Sequence, residues 1–316
     1  MSGVWPLFDA SDLELRSRIY LNEAVADFYT QAEIWRWLSV AAKDIAQKTL
    51  CVRRVLDAQT TASTRTVSFN AYKPLFVEYI SSGRFFTLPK IDPLKVGHNK
   101  LNGTIPQFWY TSGSTIGIDP IPDATYNLNL YVADIPKMVI AGITSFASGW
   151  SAGTGWTAST AASHTGATSG DLTYSTSLVA STNYTIEFIV TSLGTSGSVT
   201  PYIGATAGVP VTTNGYHTQN IISPSSSPIL KFTAVNTLSL TGVNIFAEAD
   251  FSAVTDQIEL PVEWQNLMVL YAVYSGLLKD KRHQAAQMLE SLYRSEMAYL
   301  KKNIIDVNPD SKTDVR

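Results

Sequence analysis

The clearest pattern in the chain lies in residues 29–48. There Ile34, Leu38, Ala41, Ala42 and Ile45 recur at helical spacing, while Arg36, Lys43, Asp44 and Lys48 fall largely elsewhere. Thr30 and Glu33 have the spacing of a capping box, and Tyr29 and Ile34 that of a hydrophobic staple. The spacing predicts an amphipathic helix whose apolar stripe must be buried against something, because such a helix does not stand alone. A helix is also predicted over 12–27. Candidate partners lie far downstream. From Pro261 onward, Trp264, Leu267, Met268, Tyr271, Tyr274 and Leu278 line one face. A second helix from Asp280 carries Ala286, Leu289, Tyr293, Met297 and Leu300. These stripes can cover the capped helix and give a four-helix bundle.

Between the helical ends the period changes to two. Strands are predicted over 64–70, 75–80, 84–88, 106–111, 115–118 and 126–132, the last alternating cleanly, as an antiparallel meander packed on helices. Further strands follow over 171–179, 183–191, 198–203, 217–222, 229–235 and 238–246, separated by Gly, Pro and Asn turns, the spacing of a β-sandwich or jelly roll. The expected class is therefore α+β: an antiparallel helix bundle with a β-meander, interrupted by an all-β sandwich. The tail from Asn303 is mostly polar.

Charge sharpens the boundaries. Between residues 144 and 246 only Asp171, Glu187 and Lys231 are charged. The expected division is residues 1–142 and 251–316 as one split domain, with 143–250 inserted. In a chain of 316 residues with net charge −3, nothing resembles the polycation signature of nucleic-acid binding. One cysteine, Cys51, excludes an intrachain disulfide and a cysteine-based zinc cluster, and reads as a small core residue. Neither a signal peptide nor a membrane-spanning run is visible, so a soluble protein made in a reducing cytoplasm is expected.

The search for chemistry yields no catalytic or metal site and no cofactor. Gly149, Gly153 and Gly155 lack the lysine and the strand–helix context of a phosphate cradle. His98, His164, His217 and His283 have no metal-ligand spacing and read as surface or turn residues. Asp171 and Glu187 are the only acids of the inserted region, with Glu187 expected to face solvent. Trp150, Trp156 and Tyr216, with Tyr174, Tyr184 and Tyr202, form either a sugar-stacking platform or sandwich core. Lys279, Lys281, Arg282, Arg294, Lys301 and Lys302 present either a face for phosphate or acidic protein, or an ordinary solvated helix side.

The flanks resemble the head-to-tail adaptor (connector) proteins of short-tailed bacteriophages. The carrying residues are Leu21-Asn22-Glu23, Asp27-Phe28-Tyr29-Thr30, Ala32-Glu33-Ile34, Trp37-Leu38 and Lys43-Asp44-Ile45-Ala46. Gly103-Thr104-Ile105-Pro106, residues 118–123 and 126–131 and Pro136 follow, then Leu260-Pro261 through Tyr271, and residues 279–300. The inserted region looks like the carbohydrate-binding-type sandwich of phage structural proteins, at Gly149-Trp150, Gly155-Trp156, Asn183-Tyr184-Thr185, Gly215-Tyr216, Leu230-Lys231-Phe232 and residues 242–245. The usual adaptor lacks such an insert. The resemblance implies a non-enzymatic virion protein of the tail neck: a homo-oligomeric ring of twelve, bound to the portal and the tail nozzle protein, around the channel for packaged dsDNA. Lys301, Lys302, Ile304, Ile305 and Val307 are the implied portal contacts. Trp150, Trp156 and Tyr216 are the candidate glycan or partner contacts. The alternative is a glycan-binding or tail-fibre-docking (or capsid-docking) module on a structural anchor.

Overall fold

The computed structural model describes residues 8–23, 28–81, 83–96, 104–113, 115–226, 228–247 and 251–306. Its chain forms two compact units, Met1–Arg53 with Ala133–Val139 and Glu248–Arg316, and Arg54–Val132 with Ile140–Ala247.

The first unit contains four helices among the described residues: α1 (Ala10–Leu21), α2 (Gln31–Thr49), α3 (Val262–Lys279) and α4 (His283–Asp306). In α2 the capping box is present: the Thr30 hydroxyl accepts from the Glu33 amide, and the Glu33 carboxylate accepts from the Thr30 amide at 3.0 Å. Replacing Thr30 with alanine should cost about 1 kcal/mol, read as a lower urea midpoint at unchanged slope. Asn22, left-handed at φ 59°, ends α1 earlier than the periodicity predicts.

The α2 stripe is fully enclosed, with Ile34, Leu38, Ala41, Ala42 and Ile45 all at 0% exposure. Burying each of the three large side chains contributes about 1.5–3 kcal/mol. α3 packs against the other three helices. Gly276 permits this closeness to α1, since a Cβ there would lie 2.8 Å from the Leu21 side chain. Leu13, Leu38, Trp264, Met268, Ala272 and Ala286 thus share one apolar interior although they come from opposite ends of the sequence. A buried polar knot completes it. Arg18 meets Glu14 at 2.8 Å and donates to the Tyr29 carbonyl at 3.0 Å, while Trp35 Nε1 donates to Glu14 at 2.8 Å.

Among the described residues, the regular structure of the second unit is strand, apart from one 3-10 turn at Pro93–Lys95. Its first part comprises β1 (Arg53–Gln59), β2 (Thr66–Ser68), β3 (Lys73–Ser81), β4 (Arg84–Leu88), β5 (Phe108–Ser112), β6 (Thr115–Asp119) and β7 (Asn127–Ala133). These form two sheets, ordered β1-β7-β3-β4 and β2-β6-β5. Their core is Leu56, Val77, Trp109, Ile116, Leu128 and Leu130 with neighbours, all from strands.

The second part begins with β8 (Met138–Ile143), β9 (Trp150–Ala152), β10 (Trp156–Ala158), β11 (Ala162–His164) and β12 (Gly170–Ser177). It continues with β13 (Asn183–Leu193), β14 (Ser198–Ile203), β15 (Thr206–Ala207), β16 (Gly215–Ile222), β17 (Ile229–Val235) and β18 (Leu238–Ala247). A six-stranded sheet, β10-β11-β18-β13-β16 with β8 on β18, and a five-stranded sheet, β15-β14-β17-β12-β9, enclose Leu172, Ile186, Phe188, Phe232, Val243 and Ile245. Low charge suits these strands because their inward positions alternate with Thr, Ser and Asn rather than with ions.

The fold class therefore differs from the expected one. The protein is mainly β, 40% strand against 26% helix, in four antiparallel sheets with four helices; it is not a helix bundle interrupted by a sandwich. The physical reason lies in residues 54–132. Their alternation shows which side of each strand is buried, but the two sheets bury that side against each other instead of against helices. β1 is a strand that the sequence pattern does not announce, because inward-facing Arg54, 6% exposed, interrupts the apolar alternation with Val52, Leu56 and Ala58.

No helix among the described residues is long and apolar enough to cross a membrane; this says nothing of a β-barrel.

Candidate functional site

In the second unit, a line of polar contacts joins β1 and the residues after β2 to β16 and the segment before it. The Asp57 carboxylate accepts from the Thr218 amide at 3.1 Å and meets His217 Nδ1 at 3.2 Å, while His217 Nε2 lies 3.0 Å from the Thr213 carbonyl. Gln59 Nε2 donates to Asn127 Oδ1 at 2.8 Å and to the Pro210 carbonyl at 3.1 Å. Asn70 Nδ2 donates to the Asn220 carbonyl at 3.4 Å, and Asn220 Nδ2 donates back to the Asn70 carbonyl. Gln219, 3% exposed, clamps Val209 through both ends of its amide, at 2.6 and 2.8 Å. Gly208 allows this, since a Cβ there would sit 2.2 Å from Gln219 Oε1.

These struts leave a cleft of about 330 Å³ between β1, β2 and the β15–β16 segment. Asp57, Gln59, Ser68 and Asn70 supply polar groups, and Val67 and Phe69 supply apolar ones. Among the described residues, Asp57 is the only charged one lining it.

The sandwich candidates do not converge. Trp156 is 7% exposed and donates its indole N–H to the Gly170 carbonyl at 2.9 Å, so it is core. Trp150 is half-buried, its ring 5.1 Å from Phe146 and 4.9 Å from Tyr174. It stands on β9, an edge of the five-stranded sheet, whereas Trp156 and Tyr216 stand on opposite edge strands of the six-stranded sheet. Tyr216 alone is open, at 58% exposure. Desolvation at its hydroxyl end and a hydrogen bond with Glu187 raise its pKa above the ordinary 10.

The two acids of this region lie in different sheets, each beside its own cation. Asp171 on β12 meets Lys231 at 3.1 Å and accepts from Thr233 at 2.6 Å. Glu187 on β13 lies 3.5 Å from Arg54 with its side chain only 15% exposed, so it does not simply face solvent. The expectation of surface histidines also needs correcting. His164 is 0% exposed, with Nδ1 2.6 Å from the Asn236 carbonyl, and His217 is 6% exposed. His283 is exposed at the start of α4, and His98 falls outside the described residues. Cys51 is partly buried against the helical core, and desolvation raises its thiol pKa.

In the first unit, the basic residues of the closing helices are partly occupied. Lys279 donates to the Phe28 carbonyl and to Glu33, both at 2.8 Å, and Arg294 pairs with Glu290 at 2.6 Å. Lys301 and Lys302 are exposed on α4, which also includes Ile304 and Ile305; Val307 lies outside the described residues. A groove of about 560 Å³ between α2, α3 and α4 is lined by Asp44, Tyr271, Tyr274, Tyr293, Met297 and Lys301. Tyr293 donates to Asp44 at 2.8 Å; burial and that bond raise the phenol's pKa.

The Lys279 hydrogen bond, with the Thr30 amide, holds the Glu33 carboxyl below its ordinary 4.5. A depressed carboxyl pKa stabilises the fold above about pH 4.5, and that contribution is lost as pH falls through the folded-state value. With the Glu33 side chain 37% exposed, solvent screening keeps the effect small. Lys279→Met should therefore raise the Glu33 midpoint in a carboxyl-carbon NMR titration; an unmoved midpoint would mean the contact is not populated.

Among the described residues, no group of three or more His, Cys, Asp or Glu side chains is placed to hold a metal.

No family model matches the chain, and no curated protein matches it. Among solved structures, the carbohydrate-binding module CBM6cm-2 from Cellvibrio mixtus lichenase 5A, in complex with cellotriose, is similar over 37% of this chain and 100% of its own, at 19% identity and TM-score 0.27. A likeness of that strength carries no weight for ligand or function.

Proposed function

We propose that this chain is a structural virion protein, the subunit of a head-to-tail adaptor ring in a short-tailed bacteriophage. In this reading twelve copies encircle the DNA channel, bind the portal on one side and the tail nozzle on the other, and perform no covalent chemistry. One observation supports it best. The opening and closing segments of the adaptor resemblance, remote in sequence, pack on one another. Lys279 of the closing segment bonds Glu33 and the Phe28 carbonyl of the opening one, and Tyr293 bonds Asp44. Ile34, Leu38 and Ile45 share their apolar interior with Leu267, Met268 and Tyr293. The exposed pair Lys301 and Lys302 on α4 offers the proposed portal contact.

The test is coexpression with the portal protein of the same phage, followed by electron microscopy. A ring of this chain stacked on the portal is the expected image. Lys301→Glu with Lys302→Glu should weaken that stacking while leaving the thermal transition in place. Failure of the wild-type chain to bind the portal, or its absence from virions by mass spectrometry, would reject the reading. A monomer in the absence of portal is compatible with it.

A further inference from the structure

We infer that the cleft between β1, β2 and the β15–β16 segment is a binding site for a neutral saccharide. This does not rest on the adaptor reading.

Size is the first argument. About 330 Å³ falls at the lower end of the range of small-ligand pockets, roughly 300–1,000 Å³. Lining chemistry is the second. The Thr66 and Ser68 hydroxyls donate to and accept from no other group among the described residues, and both residues are exposed on β2. Asp57 uses Oδ2 for Thr218 and His217, leaving Oδ1 as an acceptor with no donor among the described residues. Gln59 spends its amino group on Asn127 and Pro210, leaving its carbonyl oxygen to accept. Such a mix of donors and acceptors suits vicinal hydroxyls, each of which donates once and accepts twice.

Phe69, half-buried against the strand core, adds an aromatic surface for the C–H face of a sugar ring. Charge is the third argument. With no Lys or Arg among the described residues of the lining, and one carboxylate already bonded to a backbone amide and an imidazole, a phosphate or carboxylate ligand gains no counter-ion there. The walls are also fixed in advance by Gln219 on Val209 and by the Asn70–Asn220 pair, so little ordering cost accompanies binding.

The experiment uses the full chain and methyl NMR, with glucose, galactose, N-acetylglucosamine and their disaccharides as probes, and glucosamine and glucuronate as cationic and anionic controls. A neutral sugar should shift the methyls of Leu56, Leu130 and Val209 saturably. Ser68→Trp, which fills the cleft from an exposed strand position, should weaken binding by at least about tenfold, while Tyr216→Ala on the sandwich edge should leave it unchanged. The thermal transition of Ser68→Trp, compared with that of the parent, shows that the variant is folded. The inference is overturned if no neutral sugar binds saturably, if only a charged control binds, or if binding survives Ser68→Trp and disappears in Tyr216→Ala.

Discussion

Replacing Asp134 with alanine should destabilise the protein by about 3–5 kcal/mol. Asp134 and Lys137 lie in the short segment of the first unit between β7 and β8, with side chains 1% and 0% exposed and 3.3 Å between Oδ2 and Nζ. The segment is well anchored. The Asp134 amide donates to the Val52 carbonyl at 2.9 Å, the Glu259 amide donates to the Lys137 carbonyl at 3.1 Å, and Met138 bridges Ile258. An ammonium held there without the Asp134 carboxylate has lost a buried partner, and the anchored backbone limits its escape to solvent. The pair as a whole is a different matter. Two charges removed together take their desolvation cost with them, so Asp134→Leu with Lys137→Met should recover most of the loss. Urea denaturation of the two single variants and the double variant gives the coupling directly. A single-variant cost below about 1 kcal/mol would place the pair among solvated ion pairs.

Phe232→Ala should cost a similar amount, about 3–5 kcal/mol. Phe232 is 0% exposed on β17, the central strand of the five-stranded sheet. Its ring lies 5.2 Å from Phe188 of the opposite sheet and 6.1 Å from Trp150. Truncation removes the ring's transfer energy and leaves a cavity that two hydrogen-bonded sheets cannot close. Phe232→Leu fills most of that space and should cost well under half as much. Hydrogen exchange should localise the effect. Amides of β12, β14 and β17 should lose protection, while those of α2 hold theirs, because the helical interior contains no residue of the sandwich core. Equal loss in α2 would show that the chain unfolds as one cooperative body.

Local signals were readable where one residue type decides the outcome. Thr30 and Glu33 three residues apart satisfy two amides that a helix start leaves open, so the cap of α2 follows from spacing alone. The α2 stripe was legible for the same reason. The candidate site was far less so. Trp150, Trp156 and Tyr216 drew attention as aromatics near turns, yet two of them serve the interior. Asp57 and His217 gave no sequence signal: 160 residues separate them, and each alone resembles an ordinary strand residue. One trace existed in retrospect. An arginine at the inward position 54, between Val52 and Leu56, marks a strand whose side must meet an acid, and Glu187 at 3.5 Å is that acid.

The amino-acid order by itself determined the N-terminal cap of α2, its apolar stripe, the alternation of residues 126–132 and the low-charge stretch that makes the sandwich, since each depends on neighbours within a few positions. What each buried side packs against was decided only in three dimensions. Residues 54–132 alternate in the same way whether they cover helices or another sheet, and the structure shows them enclosing a core of their own. The cleft beside Asp57 belongs to the same category. Its walls are ordinary residues of separate strands, and it exists because hydrogen bonds between β1 and β16 hold those strands near one another without closing the space between them.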